Sequence, residues 1–150
     1  MNISIIYESK YGTGKQAMTY LENILRKKDY SVQLMLVHEV NPHSLPEVDL
    51  YIFSAPNAFG KIVRSMRKFL DKIEIKNSSA YYILVNTCLD PSSSQDKGLE
   101  QMEEILRKKN ISMLSEGLKL KVMAMKGPLE TGYEKKLDEF AQTIQSALKM

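Results

Sequence analysis

A glycine-rich stretch near the start of the chain carries residue types that bind anions. Ser9 and Thr13 offer hydroxyl groups, and Gly12 and Gly14 allow the backbone to curl around a bound group. The stretch lies between an apolar, β-branched segment and a helical pattern, so its N–H groups would stand at a helix N-terminus, where negative charge is favoured. Lys15 adds a positive charge beside it. These residues predict a phosphate site, although a tight strand-to-helix turn with an N-cap would use the same types.

The stretch departs from the two common nucleotide-binding motifs. A loop for nucleoside triphosphates needs G-x-x-x-x-G-K-[ST], but Ser9 stands at its first glycine and Gln16 at its magnesium-binding hydroxyl. The dinucleotide pattern G-x-G-x-x-G can begin at Gly12, but no acidic residue ends the second predicted strand. We therefore expect either a terminal monophosphate bound without a metal or the capped turn.

Two later stretches follow predicted strands and are polar or glycine-containing. Residues 54–61 (SAPNAFGK) open a helical pattern, and residues 86–97 form a longer polar loop that includes Cys88. We interpret Cys88 as a small, partly buried residue because no histidine stands near it in the sequence to activate a thiolate. One cysteine and two histidines are a poor set of metal ligands, so we predict no metal site and assign no catalytic residue.

The elements that position these stretches follow from apolar periodicity. Strands are predicted at Ile3–Tyr7, Ser31–Val37, Val48–Ser54 and Ala80–Val85, with a fifth inside Met113–Met125. Helices are predicted through Ala17–Leu25, Ile62–Ile73, Leu99–Leu106 and Tyr133–Leu148. Only a loop or short turn is expected between the second and third strands.

Strands that alternate with helices predict an α/β fold with a mostly parallel sheet covered on both faces. Right-handed crossovers bring the strand-to-helix loops to one edge of such a sheet. Those loops are residues 9–14, 55–60, 86–97 and 125–132. At 150 residues, the chain is expected to form one domain, 1–150, with its site at that edge.

Composition narrows the classes of function. The net charge is +3, and the basic clusters lie at predicted helix ends without interleaved aromatic residues, so we expect no nucleic-acid partner. No stretch approaches the roughly 20 apolar residues of a membrane span, and no secretory signal is expected at the N-terminus. A single cysteine excludes an internal disulfide, so a reducing, cytoplasmic setting is expected.

Taken together, the first two loops resemble those of the flavodoxin family, particularly its short-chain members. Residues 9–13 read S-K-Y-G-T, where the family often has S-K-Y-G-N-T. Residues 54–61 read S-A-P-N-A-F-G-K and residues 66–71 read M-R-K-F-L-D, where the family often has S-P-x-Y-x-G-K and M-K-x-F-L-D. The order and length of the elements match along the whole chain, but the match in sequence weakens after about Val85.

The resemblance implies a three-layer α/β/α sandwich with a five-stranded parallel sheet in order 2-1-3-4-5, and FMN bound at the switch point. On the phosphate side it implies contacts from Ser9, Lys10, Tyr11, Gly12, Thr13, Gly14 and Lys15. Along one side of the flavin ring it implies Pro56, Asn57, Ala58, Phe59 and Gly60, and along the other Thr87, Cys88, Leu89 and Asp90. A backbone group near Gly60 would face flavin N5.

The resemblance also implies a function, which is electron transfer between redox partner proteins through a non-covalently bound flavin. Because family members are mostly acidic and this chain is slightly basic, a partner with an acidic docking face is expected. One alternative is an FMN-dependent reductase or oxidase that acts on a small molecule beside the 86–97 loop. A second is a binding module that has lost FMN, because Gly14 replaces a phosphate-loop hydroxyl and Ala58 occupies the position of a stacking aromatic.

Overall fold

The computed structural model describes residues 1–149. Its strands are β1 (Asn2–Tyr7), β2 (Ser31–Leu36), β3 (Leu50–Ala58), β4 (Lys61–Ile62), β5 (Tyr81–Cys88), β6 (Ser112–Met113) and β7 (Leu118–Lys121). Its helices are α1 (Thr13–Lys27), α2 (Arg64–Lys72), α3 (Gly98–Arg107) and α4 (Tyr133–Leu148), with a short 3-10 helix at Val37–Glu39. The 3-10 helix occupies the region where a loop or short turn was predicted.

The sheet confirms the predicted strand order. β2, β1, β3 and β5 are adjacent and parallel, and both β6 and β7 pair with β5 on its far side. β6 pairs with the start of β5 and β7 with its end, so two short segments share the fifth position. The interruption between them contains Gly117, where a Cβ would lie only 2.6 Å from the Leu99 side chain and 2.9 Å from the Leu84 carbonyl.

Two apolar layers cover the sheet, which confirms the three-layer α/β/α architecture. Ile3 and Ile5 of β1 pack with α1 and α4 on one face, whereas Ile6 packs with α2 and α3 on the other. This alternation explains why the inner strands read as nearly continuous apolar runs, since both faces of a parallel sheet are buried. Met18, Met66 and Met102 are fully buried in these layers.

The predicted boundary between the third strand and the second helix was wrong. β3 continues to Ala58, turns through Phe59 and Gly60, and pairs antiparallel with β4. Ile62, whose spacing fitted the helix, therefore lies in β4, and α2 begins two residues later at Arg64. Phe59 and Gly60 have positive φ angles of 54° and 80°, as a tight hairpin turn requires. This hairpin becomes one wall of the candidate site.

Candidate functional site

A cavity of about 230 Å³ opens at the carboxyl ends of β1, β3 and β5, where the order of connections along the sheet reverses. Thirteen of the sixteen residues predicted from sequence line it, namely Ser9, Lys10, Tyr11, Thr13, Gly14, Pro56, Asn57, Ala58, Phe59, Gly60, Thr87, Cys88 and Leu89. The structure thus brings three separate loops to one site. That these residues hold a cofactor stays a prediction.

Ser9 organises the loop between β1 and α1. Its Oγ accepts hydrogen bonds from the backbone N–H groups of Gly12 and Lys15, both 3.1 Å long. Gly12 is the N-cap residue and has a φ of 91°, a left-handed conformation that glycine adopts freely. Ser9 therefore supplies the side-chain cap that Gly12 cannot, and the capped turn considered from sequence does occur.

The capped turn retains the donors that an anion needs. Within residues 1–149, the N–H groups of Thr13 and Gly14 have no hydrogen-bond acceptor, and both residues line the cavity. They lie in the first turn of α1, where the helix dipole favours negative charge. This donor set fits a phosphate group, so capping by Ser9 and anion binding are compatible.

Gly14 has a local steric explanation. A Cβ built at this position would lie 3.3 Å from the Glu8 carbonyl oxygen and 3.4 Å from Ser9 Oγ. Because these distances are tighter than most Cβ contacts, glycine lets the Ser9 hydroxyl lie close against the first turn. Glycine at position 14, where the resemblance implied a hydroxyl residue, thus accommodates the close packing of Ser9.

A buried polar network joins the loops that end β3 and β5. The Asn86 side-chain amide donates to the Asn57 side-chain oxygen at 2.8 Å, and Asn57 Nδ2 donates to Oδ1 of Asp96 at 3.2 Å. The second carboxylate oxygen of Asp96 accepts the Asp90 N–H at 2.7 Å. Asp96 is 8% exposed and lines the cavity, yet nothing in its local sequence singled it out.

Two glycines allow the β3–β4 hairpin to lie directly against the start of α3. The Lys97 N–H donates to the Gly60 carbonyl at 2.7 Å, and a Cβ at Gly60 would lie 2.2 Å from the Gln95 carbonyl. A Cβ at Gly98 would lie 1.7 Å from the Asn57 side-chain oxygen. Any larger residue at either glycine would separate the two walls. A backbone group near Gly60 was expected to face flavin N5; the Gly60 carbonyl itself accepts the Lys97 N–H.

Cys88 ends β5 and lines the cavity, but it is only 2% exposed. Burial, with a smaller contribution from the negative charge of Asp96, raises the pKa of its thiol to about 11. The thiol therefore stays protonated near neutral pH and is a poor nucleophile. The interpretation of Cys88 as a small buried residue agrees with this environment.

The remaining predicted residues lie outside the cavity lining. Gly12 and Lys15 contribute backbone N–H groups to Ser9, and the Lys15 side chain is exposed. The Asp90 carboxylate accepts hydrogen bonds from the N–H and hydroxyl of Ser92. The lining instead includes four residues that sequence reasoning did not name, which are Val63, Asp96, Val122 and Met125. Met125 begins the fourth loop that was predicted to reach this edge of the sheet, so its position in the sequence could have indicated it.

The rim of the cavity is apolar and exposed. The side chain of Phe59 at the hairpin tip is 98% exposed, Met125 is 61% exposed and Leu89 51%. Tyr11 donates its hydroxyl to the Met125 sulfur at 3.7 Å, and the Lys10 ammonium lies 5.5 Å from the centre of its ring. A rim of this kind would favour contact with another molecule over contact with water.

Both histidines lie at the surface and outside the cavity lining, but His38 contacts the residue that precedes the first loop. Its Nε2 lies 3.0 Å from Oε2 of Glu8, the residue before Ser9. The same Glu8 oxygen accepts the Ser65 hydroxyl at 2.6 Å, and the other accepts the Ser9 N–H. The backbone at the start of the first loop is thereby tied to the 3-10 helix and α2. His43 lies at the surface as expected, with Nδ1 3.1 Å from Glu74.

Neither a metal-binding cluster nor a membrane-spanning helix is found among residues 1–149. Among residues 1–149, no group of histidine, cysteine, aspartate and glutamate side chains has the geometry to hold a metal ion. None of the helices in the same range combines the length and apolar character needed to cross a membrane.

Comparison with known proteins gives consistent matches to one family. A family model described as "Flavodoxin domain" matches residues 4–127. No match was found among curated proteins. The fold is similar to that of flavodoxin 2 from Bacillus cereus, with a TM-score of 0.81, 19% identity, and coverage of 97% of this chain and 99% of that one.

Two other solved structures are similar at the same level. The flavodoxin of Streptococcus pneumoniae TIGR4 has a TM-score of 0.77 and 16% identity, with 97% of this chain and 99% of that chain covered. A rubredoxin oxygen:oxidoreductase from Desulfovibrio gigas has a TM-score of 0.80 and 18% identity, with 99% of this chain covered. This chain spans only 36% of that protein's length. At these identities the structural likeness establishes the fold alone.

Proposed function

This chain belongs to the flavodoxin domain family, and from that membership we propose that it binds FMN non-covalently and transfers electrons between redox partner proteins. The observation that supports the proposal most directly is the shared cavity. It joins the anion-binding turn of residues 9–14 to the two loops that end β3 and β5. Bound FMN would supply the redox chemistry, since a flavin accepts and releases electrons singly or in pairs.

The phosphate end of the cofactor would lie at the start of α1. The N–H groups of Thr13 and Gly14 are available there, and Ser9 holds the turn in place through two hydrogen bonds. No metal ligand is needed, because backbone donors and the helix N-terminus together favour a dianionic group. Lys10 adds a positive charge beside the same turn.

The ring end would lie between the hairpin and the loop after β5. Val63, Leu89, Val122 and Met125 line the cavity, and their apolar groups would lower the polarity around a bound ring. The carboxylate of Asp96 also lines it. Because reduction adds negative charge, an apolar wall and a nearby carboxylate both favour the oxidised form and lower the reduction potential.

Electron transfer to a partner is supported by the rim rather than by the cavity interior. Phe59, Leu89 and Met125 are exposed around the mouth, as expected for residues that another protein covers. The thiol of Cys88, a potential nucleophile in the cavity lining, is buried and protonated, and electron transfer requires no nucleophile. A partner with an acidic face fits the net charge of +3, and a free cysteine fits a reducing cytoplasm.

The test is a visible absorption titration of the purified protein with FMN and, in parallel, with riboflavin, which lacks the phosphate. We expect FMN to bind with a shifted flavin spectrum and riboflavin to bind at least about tenfold more weakly, because the α1 turn would contact only FMN. Potentiometric reduction of the FMN-loaded protein should then proceed in two resolved one-electron steps.

Other outcomes would assign a different function to the same fold. A single two-electron step, together with rapid turnover of NAD(P)H and a small acceptor without a partner protein, would indicate the FMN-dependent reductase or oxidase. A protein that binds neither flavin would contradict the proposal and indicate a binding module.

A further inference from the structure

A second, open groove lies between the 3-10 helix and α2, outside the cavity described above. It measures about 570 Å³, and we call it the α2 groove. Arg64, Lys68 and Lys72 line one wall at a spacing of four residues, which places them on one face of α2. Val37 and Phe69 form part of its floor and are 4% and 6% exposed. The groove therefore combines a row of cations with a recessed apolar surface.

The three cations of the α2 groove have no acidic partner within residues 1–149. None of them takes part in an ion pair or a side-chain hydrogen bond there. Among the acids near the groove, Glu8 accepts from Ser65 and lies against His38, and Glu74 lies against His43. Glu39 of the 3-10 helix is exposed and, within the same range, forms no ion pair with the three cations. The cations are thus free to meet carboxylates from another molecule.

The segment that contains α2 carries an excess of positive charge. Residues 61–76 contain six basic and two acidic side chains, a net charge of +4, whereas the whole chain has a net charge of +3. The remainder of the molecule is therefore slightly acidic. An approaching acidic surface would be steered towards α2, since opposite charges raise association rates.

The α2 groove is also contiguous with the cavity. Val63 lines the cavity, and the next two residues, Arg64 and Ser65, line the groove. Glu8 connects the two, since it precedes Ser9 in the first loop and binds Ser65 and His38 at the groove. A protein segment in the groove would therefore bring the rest of its surface over the rim of the cavity.

We propose that the α2 groove is a docking site for an acidic, leucine-containing segment of a partner protein. Its carboxylates pair with Arg64, Lys68 and Lys72, and its apolar side chains cover the floor at Val37 and Phe69. The Phe69 ring lines the groove but is only 6% exposed, so it offers little surface on which nucleic-acid bases could stack. The identification of this partner as a redox protein rests on the proposed function.

The test uses defined peptides and backbone amide NMR of ¹⁵N-labelled protein. The probe is a twelve-residue peptide of glutamates with leucine at every fourth position, and its controls replace leucine by serine or glutamate by glutamine. At about 50 mM salt, where surface charges are weakly screened, we expect the probe to shift amides of residues 37–40 and 64–72. Both control peptides should bind at least about fivefold more weakly.

Matched charge variants locate the contact. The R64E/K68E/K72E variant should lose about tenfold or more in affinity for the probe. The K108E/K135E/K149E variant makes the same change in net charge at exposed lysines elsewhere and should lose less than about threefold. The R64Q/K68Q/K72Q variant removes the three charges without reversing them. Its folding is checked by thermal melting, and its affinity provides a second test if the charge-reversed protein does not fold.

The proposal is overturned if both triple variants lose affinity equally, or if the peptide shifts amides elsewhere. It is also overturned if anionic vesicles or duplex DNA bind through the same residues more tightly than the peptide. FMN titration of each variant separates the two proposals. FMN binding without peptide binding would contradict the docking site alone. Peptide binding in the groove without FMN binding would contradict the electron-transfer function alone.

Discussion

Asn57 and Asp96 are joined by a hydrogen bond of 3.2 Å from Nδ2 of Asn57 to Oδ1 of Asp96. They lie 39 residues apart: Asn57 is near the end of strand β3, and Asp96 is just before α3. The bond ties together the two loops that would flank a flavin ring, and it also orients a carboxylate at the cavity wall. Asp96 therefore contributes both to the shape of the site and to its charge.

Replacement of Asp96 should raise the reduction potential of the FMN-loaded protein. In the D96N variant the negative charge beside the ring is lost, so the added charge of the reduced flavin is repelled less. The expected effect is on the order of 1 kcal/mol per electron, or about 40 mV. Potentiometric titration measures it, and D90N is the matched control because Asp90 faces Ser92 outside the cavity lining. An equal shift in both variants would argue against a specific role for Asp96.

Removal of the Ser9 hydroxyl should weaken both the fold and phosphate binding. The S9A variant leaves two backbone N–H groups at the start of α1 without their acceptor. We expect the free energy of unfolding to fall by about 1 kcal/mol and FMN affinity to fall about tenfold. Urea denaturation and FMN titration measure these effects. S94A, at an exposed position in the 86–97 loop, is the control. Riboflavin affinity should change little, and a parallel loss for riboflavin would contradict the assigned role.

A methyl group at position 98 should separate the hairpin from α3. The added Cβ of G98A would lie 1.7 Å from the Asn57 side-chain oxygen and 2.8 Å from the Asn86 amide nitrogen. We expect a loss of about 1–3 kcal/mol in the free energy of unfolding. The N57A/G98A double variant removes the principal clash, so the two changes together should cost less than the sum of each alone. Strict additivity, measured by urea unfolding, would show that the two residues do not meet.

Cys88 should make the folded state less stable at alkaline pH. Burial raises the pKa of its thiol from its ordinary value of 9.0 to about 11 in the folded protein. The unfolded chain therefore releases this proton first, and the free energy of unfolding falls as pH rises from about 9 to about 11. The loss should be about 1–2 kcal/mol over this window. Urea unfolding at pH 7 and pH 10.5 should show a smaller loss for C88A than for the unchanged protein.

The C88A comparison isolates the thiol from other alkaline titrations. Burial also raises the pKa values of Tyr51 and Tyr82, and both proteins retain these tyrosines. Any difference in pH dependence between the proteins then belongs to Cys88. An identical pH dependence would contradict the burial of the thiol. In the same way, the native thiol should react slowly with a disulfide reagent at pH 8 and rapidly in urea.

The amino-acid sequence by itself determined the layers of the fold and most of the cavity. Apolar periodicity predicted α4 over its full range, and it predicted a fifth strand inside Met113–Met125, where β7 lies. These predictions were possible because the spacing of apolar residues along a helix or strand determines which of its faces is buried. The first two loops were recognisable because glycine and hydroxyl residues stood at strand ends, and the parallel sheet brings strand ends together. Thirteen of sixteen predicted residues consequently share one cavity.

Tertiary structure alone decided the contacts between segments that are distant in sequence. Ile62 fitted a helical spacing, but its backbone pairs with Asn57 in the hairpin, because strand pairing can override a local pattern. Asp96 reaches Asn57 and His38 reaches Glu8 only after the sheet, the hairpin and α2 are assembled. Such contacts depend on register and on distances of a few ångströms between packed elements. Residue types and their spacing along the chain do not encode those distances locally.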